Sequence, residues 1–97
     1  MTHIELAPEV LDDFDRFFDH IAQHDSESAP ERIDTILEAL QILTLSPLIG
    51  RPVRGGKREL VIGRASRGNV ALYHYVEAID TVFVLALRSQ REAGFKR

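Results

Sequence analysis

The sequence has no cysteine, no tryptophan and a single methionine among its 97 residues. Without thiols there is no disulfide framework, no thiolate metal site and no cysteine nucleophile, and nothing calls for an oxidising compartment. Long apolar runs are missing as well: none approaches the roughly 18–20 residues that span a bilayer. The opening Met1-Thr2-His3-Ile4-Glu5 lacks the basic and apolar stretches of an export signal, so the expected location is the cytoplasm, with no membrane partner. No internal repeat, low-complexity tract or linker is visible. What is present, 44% hydrophobic and 28% charged residues, is the balance of one globular domain covering residues 1–97. A domain of this size buries only about 60–65% of the surface its unfolded chain exposes. So thin a core leaves room for a stabilising partner or a homodimer.

The net charge of −3 conceals an asymmetry. Residues 1–50 carry eleven acids against two bases, a net −9, and residues 51–97 carry ten bases against four acids, a net +6. The split supports two readings: a basic surface able to meet phosphates or an acidic protein, or halves that neutralise each other across the fold.

Periodicity divides the chain into elements. His3-Ile4-Glu5-Leu6 alternates as a short strand does, and Pro8 stands where a helix can begin. Val10, Leu11, Phe14, Phe17, Phe18 and Ile21 then recur at three- and four-residue steps, which predicts an amphipathic helix over residues 8–24. Ser28-Ala29-Pro30-Glu31 has the spacing of a capping box. Ile33, Ile36, Leu37, Leu40 and Leu43 form the stripe of a second helix, which Ser46-Pro47 should end. Two prolines and three glycines make residues 46–57 a loop. Three runs rich in β-branched and aromatic residues follow, at 59–62, 70–76 and 81–87; their short links predict an antiparallel meander covered by the helical hairpin, an α+β fold. Residues 88–97 are polar and basic, open to two readings, a strand extension or a loose tail.

This order of elements, with Leu6-Ala7-Pro8-Glu9 opening the first helix, Ser46-Pro47-Leu48-Ile49-Gly50-Arg51-Pro52-Val53 after the second, Arg58-Glu59-Leu60 starting a strand, and Val82-Phe83-Val84-Leu85-Ala86-Leu87-Arg88-Ser89-Gln90-Arg91-Glu92 near the end, resembles the RelE/ParE superfamily, the toxin halves of type II toxin–antitoxin modules. The resemblance covers nearly the whole chain. It implies the β-α-α-β-β-β fold, a cognate antitoxin as partner, contact with operator DNA only through the antitoxin complex, and no cofactor. Two activities sit on that fold. RelE-like members are similar to metal-free ribonucleases that cut mRNA on the ribosome, and ParE-like members poison DNA gyrase without cutting anything.

Ribonuclease chemistry needs a base for the 2′-hydroxyl, cations for the charged phosphorane and an acid for the leaving oxygen. RelE-like nucleases typically begin the strand after the middle turn with Tyr-Arg-(Val/Leu)-(Val/Ile)-Tyr. Here the matching stretch is Asn69-Val70-Ala71-Leu72-Tyr73, with Val70 in place of the arginine. Lysines common before that turn are replaced by Val61, Ile62, Gly63 and Arg64, and Phe95 stands where a catalytic tyrosine or histidine is usual. The resemblance therefore favours the ParE-like activity, with Arg64, Arg67, Arg88 and Arg91 as target-binding residues. The nuclease alternative would use Arg64, Arg67, His74, Arg88 and Arg91; a degenerate, non-toxic member is the third possibility.

Several residues have plainer readings. Two-residue alternation puts His74 on a face with Val70, Leu72 and Val76, which suits a packed, hydrogen-bonded histidine better than a base. Tyr73 and Tyr75 share the other face with Ala71, as core or as contact surface. His20 and His24 have helix-ligand spacing but no zincin glutamate and no third ligand, so no metal is expected. Most of Glu9, Asp12, Asp13, Asp15 and Asp19 read as solvated charge, the first three well placed near a helix N-terminus. Phe14, Phe17 and Phe18 are expected mostly in the core.

Overall fold

The computed structural model describes residues 1–25, 29–63 and 68–89. The chain runs as β1 (His3–Leu6), α1 (Pro8–Asp25), α2 (Ala29–Gln41), β2 (Arg51–Pro52), β3 (Arg58–Ile62), β4 (Asn69–Val76) and β5 (Thr81–Ser89). The strands form one sheet in the order β1-β5-β4-β3-β2. α1 lies over β5 and against α2, so one sheet face is covered by helices and the core forms between the layers. Val10 and Phe17 from α1, Ile36 and Leu40 from α2 and Leu43 after it meet Ile62, Ala71, Tyr73, Val82, Val84 and Leu87 from the sheet. The capping-box serine, Ser28, falls outside the described residues.

β2 to β5 pair antiparallel, as the short links require. β1 departs from the expected antiparallel sheet: it lies parallel to β5, from His3 beside Thr81 to Leu6 beside Val84. Two helices intervene between β1 and the rest of the sheet, which gives the chain length enough for the crossover that parallel strands need. α2 ends earlier than Ser46-Pro47 would impose, at Gln41, and a 3-10 turn over Ile42–Thr44 takes its place. The tighter turn still buries Leu43, and it leaves the Thr44 carbonyl to accept the Thr2 N–H at 3.1 Å.

The loop read over residues 46–57 contains more order than its glycines and prolines suggest. Arg51 and Pro52 pair with Glu59 and Arg58, on the sheet edge where a residue lacking an N–H is tolerated. Gly55 and Gly56 take φ of 76° and 74° in the turn that follows, a left-handed conformation costly for other residues. Arg58 Nη1 donates to the carbonyls of Leu48 and Gly50 at 3.1 and 2.8 Å. Tyr73, fully buried, accepts the Gly50 N–H on its hydroxyl at 2.8 Å. The approach is close enough that a Cβ on Gly50 would stand 2.6 Å from the Tyr73 hydroxyl and 2.8 Å from the Glu59 carbonyl.

Across the core, the sheet's alternation survives one irregularity. The β4–β5 register steps from Leu72 opposite Ala86 to Tyr73 opposite Val84, so Leu85 is the extra residue of a bulge. The bulge resets the phase. Val82, Val84 and Leu87 all face the helices, whereas simple alternation would turn Leu87 away.

At the other end of β5, Asp80 adopts a left-handed conformation with φ of 46°. Its carboxylate accepts the Thr2 and Tyr75 hydroxyls at 2.7 and 2.8 Å, and its carbonyl accepts the His3 N–H at 3.0 Å. β1 is thereby tied to the β4–β5 turn. The hydrogen bond from Thr2, and then that from Tyr75, hold the Asp80 carboxyl below the ordinary aspartate range, while the bond to Asp80 pushes the Tyr75 phenol up.

Tyr73→Phe leaves the buried Gly50 N–H without its acceptor and should lower the unfolding free energy by about 1–3 kcal/mol; Gly50→Ala, overpacked against the same ring, should cost about 1–3 kcal/mol. Urea unfolding followed by circular dichroism measures both, and a midpoint equal to wild type in either variant removes that contact from the account. Asp80 generates a pH prediction. Its depressed carboxyl contributes stability fully above the ordinary value near about 3.9, and that contribution is lost as the pH falls through the lower folded value. Asp80→Asn should therefore flatten the acid limb of a Tm-against-pH curve, and an unchanged acid limb counts against the anchoring role.

Candidate functional site

Of the candidate residues, the two that are described, His74 and Arg88, lie on the sheet face away from the helices. Cross-strand register builds that face in rows: Val61, Val70 and Arg88; Glu59, Leu72 and Ala86; His74 and Phe83; Val76 and Thr81. Val70, the residue in the position of the nuclease arginine, is 3% exposed and stands directly opposite Arg88. Arg88 is half-buried; its Nη1 donates to the Ser89 carbonyl at 3.2 Å, and its own carbonyl accepts from Asn69 Nδ2 at 3.5 Å. Arg88 and Ser89 belong to β5.

His74 shares the face but not the neighbourhood. It lies four residues along β4 from Val70, roughly 13 Å at the strand rise, farther than two groups sharing one phosphate could stand. Its Nδ1 donates to the Gly56 carbonyl at 3.0 Å, which fixes the ring as a hydrogen-bonded residue among Leu72, Val76 and Phe83. Tyr73 and Tyr75 point to the helix-covered side, Tyr73 fully buried and Tyr75 packed against the core. Burial is the largest influence on Tyr73 and raises its phenol pKa, so it stays neutral.

Arg64, Arg67 and Arg91 fall outside the described residues. Ile62, Asn69 and Ser89, which bracket those segments in the chain, form one row at the Arg88 end of the sheet. His20 and His24 lie in α1 with side chains outside the description. Among the described residues there is no cluster of three or more potential metal ligands, and no helix long and apolar enough to cross a membrane.

One residue departs from its sequence reading. Asp13, taken as solvated charge, is 2% exposed. Its Oδ2 accepts the Leu87 N–H at 2.9 Å in a buried hydrogen bond, and its Oδ1 lies 3.5 Å from Arg16 Nη1. Arg16 in turn donates to the Leu87 carbonyl at 3.3 Å and stacks its guanidinium 5.0 Å from the Phe17 ring centre. The signal was present in the spacing: Asp13 sits three residues after Val10 and four before Phe17, on the buried stripe of the helix.

Apolar surface is exposed at two places that matter among the described residues. Leu11 and Phe18 of α1 are 57% and 44% exposed and Leu37 of α2 is 39% exposed; Leu11, Phe14 and Phe18 follow helical spacing, so α1 carries a second apolar stripe beside the one it buries. Phe18 is thus the phenylalanine of the three that the core leaves out. A cleft of about 560 Å³, lined by Ser46, Pro47, Leu48, Ile49, Tyr75 and Glu77, opens at the far end of β4 from Val70.

Comparison with known proteins agrees with this architecture. A chain of the chromosomal ParDE toxin–antitoxin system from P. aeruginosa superposes with a TM-score of 0.78 at 20% identity, over 92% of this chain and 96% of that one. A chain of the intact E. coli RelBE toxin–antitoxin complex superposes with a TM-score of 0.64 at 15% identity, over 95% and 100%. At these identities the likeness is one of fold. No curated protein matches the sequence. The sequence itself decides between the two names: residues 4–94 match the family described as the ParE toxin of the type II toxin–antitoxin system parDE. A match over that span, on a two-helix, five-strand sheet shared with both complexes, places the chain in the ParE toxin family, as a toxin of a type II toxin–antitoxin system.

Proposed function

We propose that this ParE-family toxin inhibits DNA gyrase, catalyses no reaction of its own, and is neutralised by a cognate antitoxin. The observation that carries the reading is the row at Val70. The position that would present an arginine to a scissile phosphate holds a buried aliphatic side chain, and His74 is held about four strand residues away. A ribosome-dependent nuclease would need a base, an acid and a phosphate clamp together, and the two described candidates, Arg88 and His74, stand on separate rows of the sheet. Arg88 on the same row, with Arg64, Arg67 and Arg91 on flanking segments of the sequence, instead suits a binding face, since arginine forks pair with carboxylates as readily as with phosphates.

The antitoxin reading rests on the second apolar stripe. Leu11, Phe18 and Leu37 offer an amphipathic partner helix the spaced anchors that helix-in-groove binding uses. A partner there would supply burial that so small a domain lacks. Operator DNA is contacted through that complex, in this reading.

Induction without antitoxin should stop DNA synthesis within minutes and raise the SOS response while protein synthesis continues; an early stop in protein synthesis, or cleavage of mRNA in purified translating ribosomes, overturns the gyrase reading. The Arg88→Ala, Arg91→Ala double variant should lose growth arrest while remaining bound by antitoxin, and undiminished arrest removes the C-terminal cations from the site. Leu11→Glu with Phe18→Glu should do the reverse, arresting growth that antitoxin co-expression no longer relieves. Full relief by antitoxin would place its contact elsewhere.

A further inference from the structure

β1 flanks β5 only as far as Val84, where the Ala7 N–H donates to the Val84 carbonyl at 2.9 Å and Pro8 starts α1. Past that point β5 continues to Ser89 with no strand beside it on that side among the described residues. Leu87 faces Ala71 across the β4–β5 ladder, yet its N–H and carbonyl both meet α1: Asp13 Oδ2 accepts the first at 2.9 Å and Arg16 Nη2 donates to the second at 3.3 Å. An acceptor and a donor reaching one residue's backbone in this way reproduce what a neighbouring strand would offer it.

Docking α1 does not by itself require an acid there. Val10 and Phe17 already bury the helix on β5, and a carboxylate on a buried helix face is costly unless fully paired. An aliphatic residue at position 13 would serve packing and would leave the Leu87 N–H unmet. The bulge at Leu85 adds a second constraint, because it sets which face each later residue takes. With Leu87 held inward, Arg88 must project to the opposite face, onto the Val61–Val70 row.

We propose that Asp13 and Arg16 are positioning residues for the target-binding face: they act as a surrogate strand that holds Leu87 and thereby fixes where Arg88 is presented. The inference rests on the reading of Arg88 as a target contact. It makes the acidic half of the sequence a working part of the basic site, through one buried carboxylate.

The test compares Asp13→Ala, Asp13→Asn and Arg88→Ala in the full chain, expressed without antitoxin at matched soluble levels. Growth arrest against inducer dose is scored alongside near-ultraviolet circular dichroism, melting, and amide exchange at Leu87. Asp13→Ala should exchange Leu87 faster and need about tenfold more protein for half arrest, while keeping a cooperative melt and the wild-type tyrosine signal. Asp13→Asn keeps an acceptor oxygen and should recover most of that loss, which a role in charge balance alone would not allow. Adding Asp13→Ala to Arg88→Ala should cost nothing further, because both act through one side chain. Wild-type arrest by folded Asp13→Ala, beside an impaired Arg88→Ala, overturns the positioning role, as does an additive double variant. Wild-type arrest by Arg88→Ala instead overturns the reading of Arg88 as a target contact. Should Asp13→Ala fail to fold, Arg16→Leu, which keeps the Asp13 bond to Leu87 and removes the carbonyl contact, should show a smaller loss in the same direction, and full arrest by it counts against the surrogate strand.

Discussion

β5 outlasts β1 along one side, and the backbone groups uncovered by that mismatch have to be met by something other than a strand. Buried peptide groups are almost always hydrogen-bonded, so the helix that covers this edge cannot be apolar throughout. Asp13 and Arg16 are the result. Asp13 shares the buried face of α1 with Val10 and Phe17, which pack against Val82, Val84 and Leu87. The bulge at Leu85 works within the same constraint, keeping Leu87 on the core side while the strand passes from a parallel neighbour to a helix.

The rest of the molecule shows the same economy, with polar anchors placed where a larger protein would have more core. Tyr73 supplies aromatic burial and the acceptor for Gly50; Arg58 supplies two donors to the carbonyls of the same segment; Asp80 gathers Thr2, Tyr75 and His3 at the other end of the sheet. Each contact ties a loop or an edge to the sheet, over separations from 5 residues, Tyr75 to Asp80, to 78, Thr2 to Asp80. Together they hold the periphery of the sheet, and the hydrophobic layer is left to hold its centre. A consequence is that some of the bases in residues 51–97 have structural partners: Arg58 on carbonyls and Arg51 on Glu59. The basic character that remains available for recognition is narrower than a net +6 suggests.

The elements were legible because each has an unambiguous period. Val10, Phe17, Ile36 and Leu40 repeat as a helix does, and 70–76 and 81–87 alternate; pattern and propensity point the same way, and the antiparallel meander followed from link length. What was not legible is what depends on two distant pieces of chain. No local pattern states that β1 runs parallel to β5, that Arg51 and Pro52 form an edge strand, or that Leu85 is a bulge, because each is a pairing of backbone with backbone. Asp13 failed for the opposite reason. Its position on the buried stripe was readable from Val10 and Phe17, but a carboxylate among five acids is taken for solvated charge unless the unpaired amide it serves is known. Phe18 stands outside the core because the stripe on α1 is wide enough to serve two faces, and only the arrangement of α2 shows which one is covered.

A fold shared by a nuclease-type and an inhibitor-type branch constrains function only through the side chains it presents. On this sheet the deciding row is short: Val61, Val70 and Arg88. Exchanging an arginine for a valine at the second position changes more than one charge, because an arginine buried to the depth of Val70 would need a bound anion or a carboxylate to offset its desolvation. With Val70 there, that position needs no such partner, and it forms an apolar floor beside Arg88. In the proposed reading, the bulge at Leu85 and the contacts of Asp13 and Arg16 to Leu87 bear on the face that carries Arg88 as much as on the stability of the core.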